Sequence, residues 1–216
     1  MSASPAVVCT LVLLAATPVG AHRLDEYLQA TTIAVEKGRV QAEIRLVPGV
    51  AVFPIVFAGI DSDSDGVASA AEQRAYAERV LHDVSLSADG TRLPLRLVST
   101  TFAPKELLQE GRGEIQLRLE ADVHRTAARR RLTLENHHQR QIGAYLVNAL
   151  VPRDPDIRLG AQQRSDDQSL YHLDYADASA PAGALSFAPG PGQWGWTGGM
   201  LVALLVGLAL LRPRAA

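Results

Sequence analysis

The sequence predicts a mainly β, antiparallel, sandwich-like domain with an inserted helix–EF-loop–helix and one C-terminal transmembrane helix. Three observations carry this expectation. Several short runs alternate apolar with polar residues, the period of a strand with one buried face, as at Val40, Ala42, Ile44 and Leu46. Residues 50–83 break that period and read as two helices around an Asp-rich loop. A charge-free apolar run, residues 195–211, lies just ahead of Arg212 and Arg214.

Length and charge set the outer limits. The 216 residues suffice for one domain of ordinary size plus appendages. The net charge of −2 offers no basic surface for nucleic acid. Residues 1–21 read as a secretory signal, with an apolar run from Ala6 to Ala16 and with Val19 and Ala21 at the −3 and −1 positions of a cleavage site. The single cysteine, Cys9, falls inside that signal. The mature chain is then expected to carry no thiol, no disulfide and no cysteine-based metal site.

The elements follow in order. Residues 24–47 read as a β-hairpin turning at Lys37-Gly38, and Pro48-Gly49 ends it. Residues 50–60 are wholly apolar but too short to cross a bilayer, and they read as a short buried helix in which Pro54 sits in the first turn. Residues 69–83 form the second helix, capped by Ser69. Its inward side is expected at Ala71, Ala75, Val80 and Leu81, with Gln73, Arg74, Glu78 and Arg79 in water.

From Val84 the period returns to two. Val84–Ala88, the turn Asp89-Gly90, and a strand through Leu93, Leu95, Leu97 and Ser99 read as a second hairpin, with Pro94 at an edge. Residues 104–110 hold one helical turn. Further strands are expected at 114–123, 129–136, 141–150, 157–163 and 169–175, which makes the extracytoplasmic domain span residues 22–176. Residues 177–194, rich in Ala, Pro and Gly, are a linker. Trp194 and Trp196 precede the apolar run Gly198–Leu211 of the 195–211 span, and the arginines of the 212–216 tail follow it, as the aromatic belt and the positive-inside rule require. These features place the chain in the inner (cytoplasmic) membrane as a single-pass protein. Its β domain then faces the periplasm or exterior, where it could meet a protein partner in the envelope.

One stretch spells out a chemistry. Asp61, Asp63 and Asp65 stand at positions 1, 3 and 5 of a twelve-residue loop, Gly66 at 6 and Glu72 at 12. This is the spacing of an EF-hand calcium loop. Alternate residues of a tight loop aim carboxylates at one point, and Gly66 permits the sharp turn that brings the Val67 carbonyl inward. Ser69 adds an oxygen, directly or through water, and Glu72 closes the shell. The expected cofactor is Ca²⁺, held by Asp61, Asp63, Asp65, Val67, Ser69 and Glu72. The same residues admit a plainer reading, since Ser69-Ala70-Ala71-Glu72 is also a capping box. Ala68, at position 8, is smaller than the aliphatic that usually pairs with a second loop, and the sequence contains no second loop.

Other chemistry is thinner. Cleavage after Ala21 would make His22 the amino-terminal residue, and an α-amine plus imidazole can chelate copper or nickel with a further histidine from the 137–138 pair. Neither G-x-S-x-G nor H-E-x-x-H occurs, so no enzyme is expected. The stretch Ala21-His22-Arg23-Leu24-Asp25-Glu26-Tyr27, the apolar segment feeding the Asp-rich loop, and Leu134-Glu135-Asn136-His137-His138 resemble bacterial exported single-EF-hand proteins of unassigned role. More distantly, residues 21–176 are similar to the extracytoplasmic region of HupE/UreJ-type nickel and cobalt permeases. That resemblance implies a metal-related or accessory module at the cell surface. The multi-helix portion of those permeases has no counterpart here, and one helix cannot line a transport pathway.

Overall fold

The computed structural model describes residues 25–125 and 127–180. The expected signal, residues 181–194 of the linker, the transmembrane span and tail, and His22 lie outside those residues. The expected start of the linker is corrected, since Asp177 is buried and is the last residue of a strand, paired with Arg125 at 2.7 Å. Among the described residues, no helix is long and apolar enough to cross a membrane.

Among the described residues, ten strands form two five-stranded sheets around one core. The first sheet is built on the hairpin of β1 (Tyr27–Glu36) and β2 (Arg39–Pro48), which pair without interruption from Tyr27↔Pro48 to Glu36↔Arg39. Gly38, at φ +72°, takes the left-handed turn between them. β6 (Ile115–Asp122) flanks β2, and β5 (Arg96–Phe102) flanks β6. β8 (Gly143–Ala149) completes this sheet beside β1. The second sheet runs β4 (Thr91–Leu93), β3 (Val84–Ala88), β7 (Arg129–Asn136), β10 (Leu170–Asp177) and β9 (Ile157–Arg164).

Strict alternation drives the burial. Val40, Ala42, Ile44 and Leu46 of β2, and Ile115, Leu117, Leu119 and Ala121 of β6, are almost fully buried. They join Leu86, Leu132, Leu134 and Leu173 of the other sheet in a single apolar cluster. A period of two gives each strand one apolar face, and two such faces cover each other.

Two features depart from the simple antiparallel plan. β8 runs parallel to β1, from Tyr27↔Gly143 to Ile33↔Ala149. Its predecessor β7 lies in the opposite sheet, so the chain crosses over through residues 137–142 and lands beside β1 in the same direction. The second hairpin also corrects the expectation of one strand through Leu93 to Ser99. Pro94 has no N–H for a ladder, and the chain changes sheets there, leaving β4 in one sheet and β5 in the other.

The insertion between β2 and β3 is helical, as expected. α1 (Phe53–Ile60) carries Pro54 in its first turn, where no intrahelical N–H is lost, and buries Phe53, Val56, Phe57 and Ile60. α2 (Ala70–Asp83) follows the Asp-rich loop. A single helical turn, α3 (Lys105–Gln109), buries Leu108. The inward face of α2 includes Val80, as expected, but is otherwise not the expected one. Glu72, Tyr76, Ala77 and Val80 are buried, whereas Ala71 and Ala75 are exposed and Leu81 is half-buried. The stripe is rotated by one residue because Glu72 must reach back to the loop and Tyr76 must reach the sheets.

Candidate metal centre

The Asp-rich loop is closed mainly by its own side chains. Asp61 caps the end of α1, its N–H donating to the Phe57 carbonyl at 2.8 Å. Its Oδ1 accepts the Asp65 N–H at 3.1 Å and its Oδ2 the Gly66 N–H at 2.9 Å. Asp63 Oδ1 also accepts from the Asp65 N–H, at 3.2 Å, and Asp65 Oδ1 accepts from the Val67 N–H at 2.7 Å. Gly66 has φ +87°, a value that a side chain would strain. These bonds turn the three carboxylates toward one another. One oxygen from each of Asp61, Asp63 and Asp65 lies within 4.8 Å of the others. Asp61 is buried, and Asp63 and Asp65 are exposed.

Glu72 and Ser69 are joined to each other rather than to that triad. Glu72 Oε2 accepts the Ser69 N–H and the Ser69 hydroxyl, each at 2.9 Å, and Ser69 Oγ accepts the Glu72 N–H at 3.3 Å. The capping box is therefore complete. Glu72 Oε1 reaches across the loop to the Ser62 N–H at 2.6 Å and its hydroxyl at 2.9 Å. These donors, the Ser69 N–H foremost, pull the Glu72 carboxyl down to about 2. A carboxylate lowered in the folded state stabilises it above the ordinary carboxylate range, and that contribution is lost as the pH falls toward about 2. Ser69→Ala removes the cap and should cost about 1 kcal/mol in chemical denaturation. Val67 presents its side chain to solvent, 62% exposed.

Lys105, which sequence reasoning passed over, braces the loop from outside. Its Nζ donates to the Gly66 carbonyl at 2.7 Å and sits 4.4 Å from the centre of the Phe57 ring. The only available signal was its rarity, since Lys37 is the sole other lysine.

The histidine pair is split by the fold. His138 is 3% exposed, and its two ring nitrogens face Asp83 and Tyr76 at 2.8 and 3.1 Å. It has no nitrogen to offer a transition metal here. His137 is exposed, with Nε2 3.2 Å from Glu135. The alternative copper or nickel site therefore loses one of its two candidate partners for His22.

No protein-family model, curated protein or solved structure matches the chain.

Proposed function

We propose that this chain is a membrane-anchored, extracytoplasmic calcium-binding domain whose single EF-type loop holds a structural Ca²⁺. The observation that carries the reading is the convergence of Asp61, Asp63 and Asp65. Calcium holds oxygens at about 2.3–2.6 Å, so two of its ligands lie at most about 5 Å apart. The 4.8 Å grouping fits one such ion. Three carboxylates so close repel one another until a cation neutralises them. Calcium supplies that charge. For the Val67 carbonyl, Ser69 and Glu72 to complete the oxygen set, Glu72 and Ser69 would turn from the bonds they make with each other and with Ser62 toward the triad. Glu72 already ties the start of the loop to the start of α2, so an ion there fixes α1 and α2 together.

The loop is solitary, and its neighbour is Lys105 rather than a second loop. That favours a staple over a paired sensor. The membrane anchor at 195–211, the envelope location and a protein partner on the β domain belong to the same proposal. So does the likeness to the extracytoplasmic part of nickel and cobalt permeases, which supports an accessory role. Calorimetric titration of the full chain with Ca²⁺, beside Asp61→Ala and Glu72→Gln, tests the site. One ion should bind to the wild type and neither variant should match its heat; equal heats in all three would sink the proposal.

A further inference from the structure

Behind α2 lies a chain of buried polar groups that the calcium reading does not use. Asp83 Oδ2 is 2.8 Å from His138 Nδ1. His138 Nε2 is 3.1 Å from the Tyr76 hydroxyl, which is 2.8 Å from the Tyr27 hydroxyl. Tyr76 and Asp83 belong to α2, Tyr27 to β1, and His138 to the crossover between the two sheets. Tyr27, Tyr76 and His138 are at most 3% exposed. The Asp83 side chain is 37% exposed, so the chain opens to water at one end only.

The direction of these hydrogen bonds is forced. The carboxylate of Asp83 can only accept, so His138 Nδ1 carries a proton. In the neutral ring Nε2 is then an acceptor, and Tyr76 must donate to it. Tyr76 oxygen in turn accepts from the Tyr27 hydroxyl. Every member is satisfied, and every proton points toward Asp83. A second proton on His138 reverses the chain. Nε2–H would donate to Tyr76, Tyr76 would donate to Tyr27, and the Tyr27 O–H would be left without an acceptor in the core, which is costly.

We propose that Asp83, His138, Tyr76 and Tyr27 form an acid-sensitive latch that holds α2 on the sheets and releases it when His138 takes up a proton. The surroundings agree. On α2, Arg79 disfavours a second positive charge, Asp83 favours it, and His82 shares the Asp83 carboxylate at 3.4 Å. From β1, Gln29 donates to the His138 carbonyl, as does Tyr145 from β8, each at 2.8 Å. Asn136 accepts the His138 N–H at 3.0 Å. The crossover backbone is thus pinned and the ring cannot swing out while the latch is closed. Glu135 and His137 pair with each other at the exposed side.

Burial lowers the His138 pKa by more than its bond to Asp83 raises it. Burial works to raise that of Asp83, but its bonds from His138 and His82 outweigh this and keep it ionised. The sign follows. Above the ordinary histidine value of about 6.5 the ring is neutral whether folded or not, and pH has no effect through it. Below it the unfolded chain takes up a proton that the buried ring refuses, so stability falls with pH.

The test uses the full chain in the presence of a chelator, so that it stands whatever the fate of the calcium reading. Nitrogen-15 NMR should find His138 titrating below the ordinary histidine value and, while neutral, carrying its proton on Nδ1. Amide protection factors in α2 should fall as the pH is lowered from about 7 to about 5, through the ordinary histidine range of about 6.5, while those in β2 hold. In His138→Gln the selective loss in α2 should disappear. A ring that titrates at or above the ordinary value, or carries its neutral proton on Nε2, overturns the latch. So does an unchanged α2 response in His138→Gln. The ring titration is read on the wild type and decides the matter even if that variant fails to fold.

Discussion

Tyr76→Ala is expected to destabilise the domain by about 4 kcal/mol, the scale of removing a buried large aromatic. Two effects add. The ring is 1% exposed and packs edge-on to Phe102 and His138, with centroids 6.2 and 5.6 Å away. Truncation leaves a cavity where α1, α2 and the sheets meet, since Gly59 of α1 also lies against this ring. It also removes the middle of the Tyr27–Tyr76–His138 chain, stranding one hydroxyl and one ring nitrogen without partners. Tyr76→Phe separates the two effects. It keeps the volume and should cost only about 1–3 kcal/mol, the penalty for orphaned buried polar groups. Denaturant unfolding of both variants checks this. If the two cost the same, the hydrogen-bonded chain and not the packing holds α2 in place.

The sheets were readable in the sequence because alternation is a local signal and burial enforces it. Val40–Leu46 and Ile115–Ala121 show the same period in sequence and in structure. What failed was non-local. Nothing in residues 141–150 says that β8 will pair parallel to β1, since that depends on the crossover from the other sheet. Pro94 was read as an edge position within one strand, whereas it lies between β4 and β5, and a proline does not say that the chain will change sheets. The face of α2 was misjudged because Ala71 and Ala75 are as apolar as Ala77 and more so than Glu72, both of which are buried. Small side chains carry a weak burial signal, whereas a cap and a large aromatic decide the rotation. Tyr76 and Asp83, seven residues and two turns apart, share one side of the helix, and that spacing was the available hint of the latch. The loop itself was legible because its ligands are consecutive in sequence. Even so, only the three aspartates converge, and the capping box claims Ser69 and Glu72.

Asp61→Ala should cost stability twice, and the second cost should appear only with calcium. Asp61 is the one aspartate of the triad that is buried, and each of its oxygens closes a different turn of the loop, onto the Asp65 and Gly66 N–H groups. Without any ion, losing these bonds should destabilise by about 1 kcal/mol, the net worth of ordinary hydrogen bonds near solvent. Calcium then separates the two proteins. An extracellular-type site with Kd of roughly 10⁻⁴–10⁻³ M, placed in about 10 mM calcium, gains about 1.4–2.7 kcal/mol by mass action. For a domain of this size that raises the melting midpoint by several degrees, at about 2–4 °C per kcal/mol. The wild type should show this rise and lose it again with chelator. The variant should show neither, so the gap between the proteins widens from about 1 to about 3 kcal/mol when calcium is added. A variant that rises in parallel with the wild type would mean that calcium acts elsewhere, and the triad would then be no more than a well-bonded acidic turn.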